Sequence, residues 1–135
     1  MDVATLLEKA ADVLDRDGWC RRYMHGLNGG HCARGAMAVV LGFDASVFYN
    51  KYSAVALMQG VAPAEDALLR HLGLERGSPV INRVPLWNDN TVPWWNDWVA
   101  KDHGEVTSAM RACAAVLRAQ QATPAVQATP ETVEA

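Results

Sequence analysis

A single, mostly α-helical domain of four or five helices, with a short hairpin and a Trp-rich irregular connection, is the fold class the sequence predicts. Three observations predict it. Apolar residues recur at helical spacing near both ends of the chain, and an apolar segment rich in small residues lies between them. Four of the five tryptophans crowd into one proline-broken connection near the C-terminal helix. At 135 residues there is room for one domain with a real core, and not comfortably for two.

The elements follow in order. Val3, Leu6, Leu7, Ala10, Val13 and Leu14 make one apolar stripe and leave Glu8, Lys9, Asp12, Asp15 and Arg16 to water, so residues 3–17 are predicted helical. Gly18 is placed to end that helix in the left-handed conformation. In "WCRRYMHGLNGGHC", Asn28-Gly29 is the strongest hairpin signal of the chain. A two-residue turn there would set Leu27 opposite Gly30, Gly26 opposite His31 and His25 opposite Cys32. The run 32–42, "CARGAMAVVLG", is apolar nearly all round with Ala33, Gly35, Ala36 and Ala38 small, which suits a buried central helix. Asp44 or Ser46 is expected to cap a third helix toward Gln59, with Val47, Phe48, Tyr52 and Val55 inward. Pro63 suits the first turn of a fourth, whose face is Leu68, Leu69 and Leu72 and whose stop is Gly73. Asp102 and Glu105 form a capping-box pattern for the last helix, with Val106, Met110, Cys113 and Leu117 as its stripe. The domain is expected to span residues 1–121. Residues 122–135 carry two Ala-Thr-Pro units and no large aliphatic but Val, the composition of a flexible tail.

Between Gly73 and Asp102 one octapeptide is written twice, Asn-x-Val-Pro-x-Trp-Asn-Asp at 82–89 and again at 90–97. Pro85 and Pro93 push Val84 and Val92 toward extended backbone, and each Trp-Asn-Asp favours a turn, so each copy is expected to be an extended-then-turn unit presenting an indole. Most of Trp87, Trp94, Trp95 and Trp98 are expected to cover an end of the helical core. One or two are candidates for an exposed anchor, since Trp is enriched at interface hot spots.

The formal net charge of −3 and the isoelectric point near 5.7 give no overall attraction to phosphate backbones. Arg16, Arg21, Arg22 and Arg34, with His25 and His31, make the densest basic run. Asp15 and Asp17 interrupt it, so nucleic acid is not an expected partner. No uncharged run reaches the length of a membrane span and the N-terminus has no signal pattern. Three cysteines suit a reducing compartment, and a cytoplasmic protein is expected, in a host cytoplasm if phage-encoded.

The order Gly18-Trp19-Cys20, then Cys32-Ala33-Arg34-Gly35-Ala36-Met37, then Trp95-Asn96-Asp97 leading to Glu105-Val106, resembles a family of small uncharacterised proteins of high-GC Gram-positive bacteria and their phages. The spacing selects the second octapeptide, because Trp95 lies eleven residues before Val106. The resemblance covers roughly residues 3 to 120 as scattered short motifs. The chain departs from the pattern in doubling the octapeptide and in writing "AKDHGEV" where an Arg-Thr cap is usual. The resemblance implies an architecture and a phage or bacterial accessory role, and no mechanism.

The leading functional expectation is a non-enzymatic interaction protein that binds a host protein or itself through Trp87, Trp94, Trp95, Asn96, Asp97 and Trp98. The alternative is a cysteine-dependent hydrolase. Cys32 opens a helix whose dipole lowers a thiol's pKa, the two-residue turn sets His25 across from it, and Asn96 or Asp97 would orient the imidazole. Cys20, His25, His31 and Cys32 do not have the paired spacing of a tetrahedral metal site, so no metal or other cofactor is expected. Glu65 and Asp66 are adjacent on a helix, point to different faces and suit a solvated first turn better than paired acid-base chemistry. No phosphate loop is present, since "GLNGGHCARG" lacks the Gly-Lys-Ser/Thr ending.

Overall fold

The computed structural model describes residues 1–44, 47, 50–74 and 91–122. Among them the chain forms helices α1 (Val3–Asp17), α2 (Ala33–Val40), α3 (Lys51–His71), a short α4 (Val92–Trp94) that runs on into a π-helical turn (Trp95–Val99), and α5 (His103–Ala122). Among the described residues there are no strands, only isolated bridges at Trp19–His31 and His25–His31. The mostly α-helical class expected from the sequence is the one observed.

The Asp2 carboxylate caps α1 by accepting from the Thr5 backbone N–H at 2.8 Å, and Gly18, at φ +104°, ends it. Of the expected stripe of α1, Leu6, Leu7, Ala10, Val13 and Leu14 are buried and Val3 is half-buried, and Ala4 and Ala11 join them inside. This helix is the centre of the domain. It packs chiefly against α5 and α2 and also touches α3. Outside the apolar seam between α1 and α5, Arg111 reaches Asp12 (2.9 Å) and Asp15 (2.6 Å), and Arg118 reaches Glu8 (2.6 Å). These pairs are exposed and contribute little stability each, so the seam depends on Leu7, Leu14, Val106 and Met110. The Asp102 carboxylate accepts from Glu105 N–H at 2.8 Å, as the capping pattern predicts.

Two expected helices are one. Asn50 caps α3, accepting from the Tyr52 and Ser53 backbone N–H groups, and the helix runs through Pro63 to His71. Pro63 removes one bond to the Gln59 carbonyl, but Gln59 is exposed and water can serve it. Leu57, Val61, Ala64 and Leu68 form one buried stripe across the proline, and that packing holds the two halves in line. Tyr52 and Val55, expected inward, are exposed, and Phe48 lies outside the described residues. The second octapeptide is not extended either. Thr91 takes the extended cap position, its hydroxyl accepting from Trp94 N–H at 3.2 Å, and Pro93 falls in the first turn of α4, where a missing N–H costs nothing. The first copy and Trp87, and all of the expected tail but Ala122, lie outside the described residues.

Candidate interaction site at the Trp-Asn-Asp turn

The site is made by two irregular segments that meet at the start of α2. The first is the loop 18–32. It leaves α1 at Gly18 and returns beside its own beginning, with His31 N–H donating to Gly18 O and Cys20 N–H to His31 O, both at 2.9 Å. Its tip is a hairpin in a different register from the one expected. Gly26 N–H bonds Gly30 O at 2.7 Å and Cys32 N–H bonds Met24 O at 3.1 Å, so His25 faces His31 and Met24 faces Cys32. The turn holds three residues, Leu27-Asn28-Gly29, because Gly29 takes the left-handed position (φ +91°) while the Asn28 side chain accepts from Gly30 N–H. One added turn residue moves every cross-strand partner by one place.

The second segment is the π-helical turn 95–99, widened so that Ala100 N–H bonds Trp95 O five residues back at 2.8 Å. It turns Trp95 and Asn96 inward, where both are buried, and leaves Trp98 64% exposed. Asn96 is the joint. Its side-chain oxygen accepts from the Trp19 indole N–H (2.7 Å) and from Ala33 N–H (2.9 Å), and its amide nitrogen donates to Cys20 O (3.1 Å) and to the Asp97 carboxylate (2.9 Å). One buried carboxamide thus ties the loop, the turn and the N-terminus of α2 together. The Asp97 carboxylate also accepts from Arg22 N–H at 2.8 Å. Arg22 is the one described residue other than glycine with a positive φ, +74°, a strained backbone that this bond helps to hold.

The close approach of loop and helix needs Gly35, whose position leaves no room for a side chain: an added Cβ would lie 2.8 Å from the Met24 carbonyl carbon. A partly open recess of about 160 Å³ remains between the segments, lined by Arg22, Tyr23, Met24, Cys32, Arg34, Pro93 and Asp97. The Arg22 guanidinium lies over the Trp98 ring, 5.0 Å from its centroid, and Tyr23 beside it in sequence is 68% exposed. Arg34 is turned away into a bidentate pair with Glu65 (2.7 and 2.8 Å). Glu65 is buried, contrary to the solvated first turn expected of it.

The members of the sequence-derived site are therefore divided. Trp95 and Asn96 are core, Trp94 is half-buried against it, Asp97 lines the recess and Trp98 stands outside. Cys32 and His25 are not paired. The Cys32 sulfur caps α2, accepting from Gly35 N–H at 3.3 Å, and burial pushes the thiol up to about 11, against the lowering expected from the helix dipole. His25 bonds His31 instead, Nδ1 to Nδ1 at 2.8 Å, and His31 Nε2 bonds the Asp17 carboxylate at 2.8 Å. The expected basic run is largely neutralised. Arg16 pairs with Asp17, Arg34 with Glu65, and Arg21 donates to the Ala100 and Lys101 carbonyls while lying 4.6 Å from the Trp19 ring centroid. No group of three or more His, Cys, Asp or Glu side chains able to hold a metal ion occurs among the described residues. Sequence reasoning missed Trp19, Arg22 and Tyr23. Trp19 was visible in the Gly-Trp-Cys motif, whereas the backbone of Arg22 has no sequence signature.

Fold and site define a small helical domain in which a Trp-Asn-Asp turn locks an arginine-bearing loop onto the N-terminus of α2. The chain belongs to a family of unknown function (DUF6197), whose profile matches residues 1–116. No curated protein and no solved structure matches it. No described helix is long and apolar enough to cross a membrane.

Proposed function

We propose that this is a non-enzymatic interaction protein, a phage or prophage accessory factor, that engages a protein partner through Trp98, Arg22 and Tyr23. The observation that carries the reading is the Trp98–Arg22 stack: an indole 64% exposed, with a guanidinium over its face whose backbone is fixed by Asp97. Trp, Tyr and Arg are the residue types that dominate interface hot spots, and a side chain ordered before binding loses less entropy on binding. The recess beside the stack offers a partner side chain a socket whose lining includes Met24, Cys32 and Pro93.

The test compares wild type with Trp98→Ala and Arg22→Ala. Both variants are expected to fold. Each is expected to lose at least about tenfold in affinity for a protein captured by wild type from a host lysate. Sedimentation of wild type at rising concentration reads a second copy as the partner. Equal capture and equal sedimentation for all three proteins would remove the reading.

A further inference from the structure

Asp17, His31 and His25 form a chain that the interaction surface does not use. The Asp17 carboxylate accepts from His31 Nε2, and His31 Nδ1 meets His25 Nδ1 at 2.8 Å with the rings edge to face. His25 Nε2, at the far end, is buried and has no hydrogen-bond partner among the described residues. His25 and His31 are also the facing pair of the hairpin. What these two imidazoles do to each other therefore bears directly on whether the hairpin stays paired.

Proton counting gives three states. With both rings neutral, His31 carries its proton on Nε2, toward Asp17, and His25 donates from Nδ1. One proton added to the pair is absorbed: one ring is doubly protonated and donates from Nδ1, and the other takes the tautomer whose Nδ1 accepts. A second leaves two N–H groups pointing at each other across 2.8 Å, and two cations in contact. We propose that the His25–His31 pair is a proton-operated latch that holds the loop 18–32 closed with no more than one added proton and releases it with two.

The surroundings set the direction. Desolvation, then the neighbouring His31, lowers the pKa of His25, while Asp44 acts the other way. On the α1 side stand Asp17 and its partner Arg16; on the α2 side stand Cys32 and Arg34, the latter paired with Glu65; and Asp97 faces Arg22. Because the closed state depresses His25, it binds fewer protons than the open one. Closure is then fully favoured above the ordinary histidine range and weakens as pH falls through it toward the lower folded value. Over that window the open-to-closed ratio rises by up to about tenfold per pH unit for each proton taken up. Release would also unseat Arg22 from Trp98, a consequence that rests on the proposed interaction surface. The latch itself does not.

Two-dimensional amide NMR of the full chain between pH 7.5 and 4.5 tests this without any partner. The Gly26 and Cys32 amides are expected to leave their folded positions as pH falls through and below the ordinary histidine range, while those of Leu7 and Met110 in the α1–α5 seam stay. In His25→Asn, whose carboxamide offers a non-titrating N–H near the place of Nδ1, the loop amides are expected to hold over the same range. The ring resonances of wild type supply the second measurement, with the later of two imidazole protonations coinciding with the loop transition. Loop amides that ride unchanged through that protonation, or that move at the same pH in His25→Asn, would overturn the latch.

Discussion

The carboxamide oxygen of Asn96 lies 2.7 Å from the indole nitrogen of Trp19, 77 positions earlier in the chain. The same oxygen serves the first backbone N–H of α2, and the same side chain's nitrogen serves Cys20 O. Asn96 is wholly buried, so its removal leaves several polar groups with neither partner nor water. Asn96→Ala is expected to cost about 3 kcal/mol in urea unfolding, above the usual range for a single hydrogen bond. Asn96→Asp should do no better, because it cannot donate to Cys20 O and adds a buried charge beside Asp97. A loss below about 1 kcal/mol for both would show that Asn96 is not the joint.

The glycines separate close packing from backbone conformation. Gly35 faces Met24 with no room for a Cβ, whereas nothing lies within 4 Å of the place a Cβ would take at Gly29, which has φ +91°. Gly35→Ala is expected to lower stability by about 3 kcal/mol or to displace the loop, through overpacking against backbone. Gly29→Ala should cost about 1 kcal/mol, the left-handed penalty alone. Melting curves that rank the two the other way would contradict the packing described.

Arg34 is partly buried and its partner Glu65 is only 2% exposed. Arg34→Met is expected to cost about 3–5 kcal/mol by leaving a carboxylate unpaired in the interior. The double variant Arg34→Met/Glu65→Met should recover most of the loss. Urea denaturation of Arg34→Met, Glu65→Met and the double variant checks this, and additive losses would show that the pair is not coupled.

The Cys32 thiol, pushed up to about 11 by burial, is about 0.1% thiolate at pH 8. Iodoacetamide is expected to leave it unmodified in the native protein over an hour and to label it on denaturation, read by peptide mass spectrometry. Rapid native labelling would favour the cysteine-hydrolase alternative, with His25 and with Asn96 or Asp97 in the supporting roles.

Much of the architecture is present in local pattern. The bounds of α1, the stop at Gly18, the small-residue helix and the stripe of α5 follow from the spacing of apolar residues and from caps, which act within one or two turns. Pro63 shows where that reasoning ends. Its local cost is real, but a buried stripe from Leu57 to Leu68 on both sides outweighs it. The hairpin register failed for a related reason: a two- and a three-residue turn are both compatible with Asn-Gly, and the choice is made by what the loop must reach.

Sequence alone thus determined that this is a helical domain, because periodicity and caps are written in neighbouring residues, while the choice of the second Trp-Asn-Asp unit came from the family resemblance. Only the tertiary structure decided which tryptophan is core and which is surface, that His25 meets His31 rather than Cys32, and that a partly buried Arg34 pairs with a buried Glu65. Those outcomes depend on contacts between segments far apart in the chain. Their energies come from shared burial and paired polar groups, to which neither segment alone gives a sign.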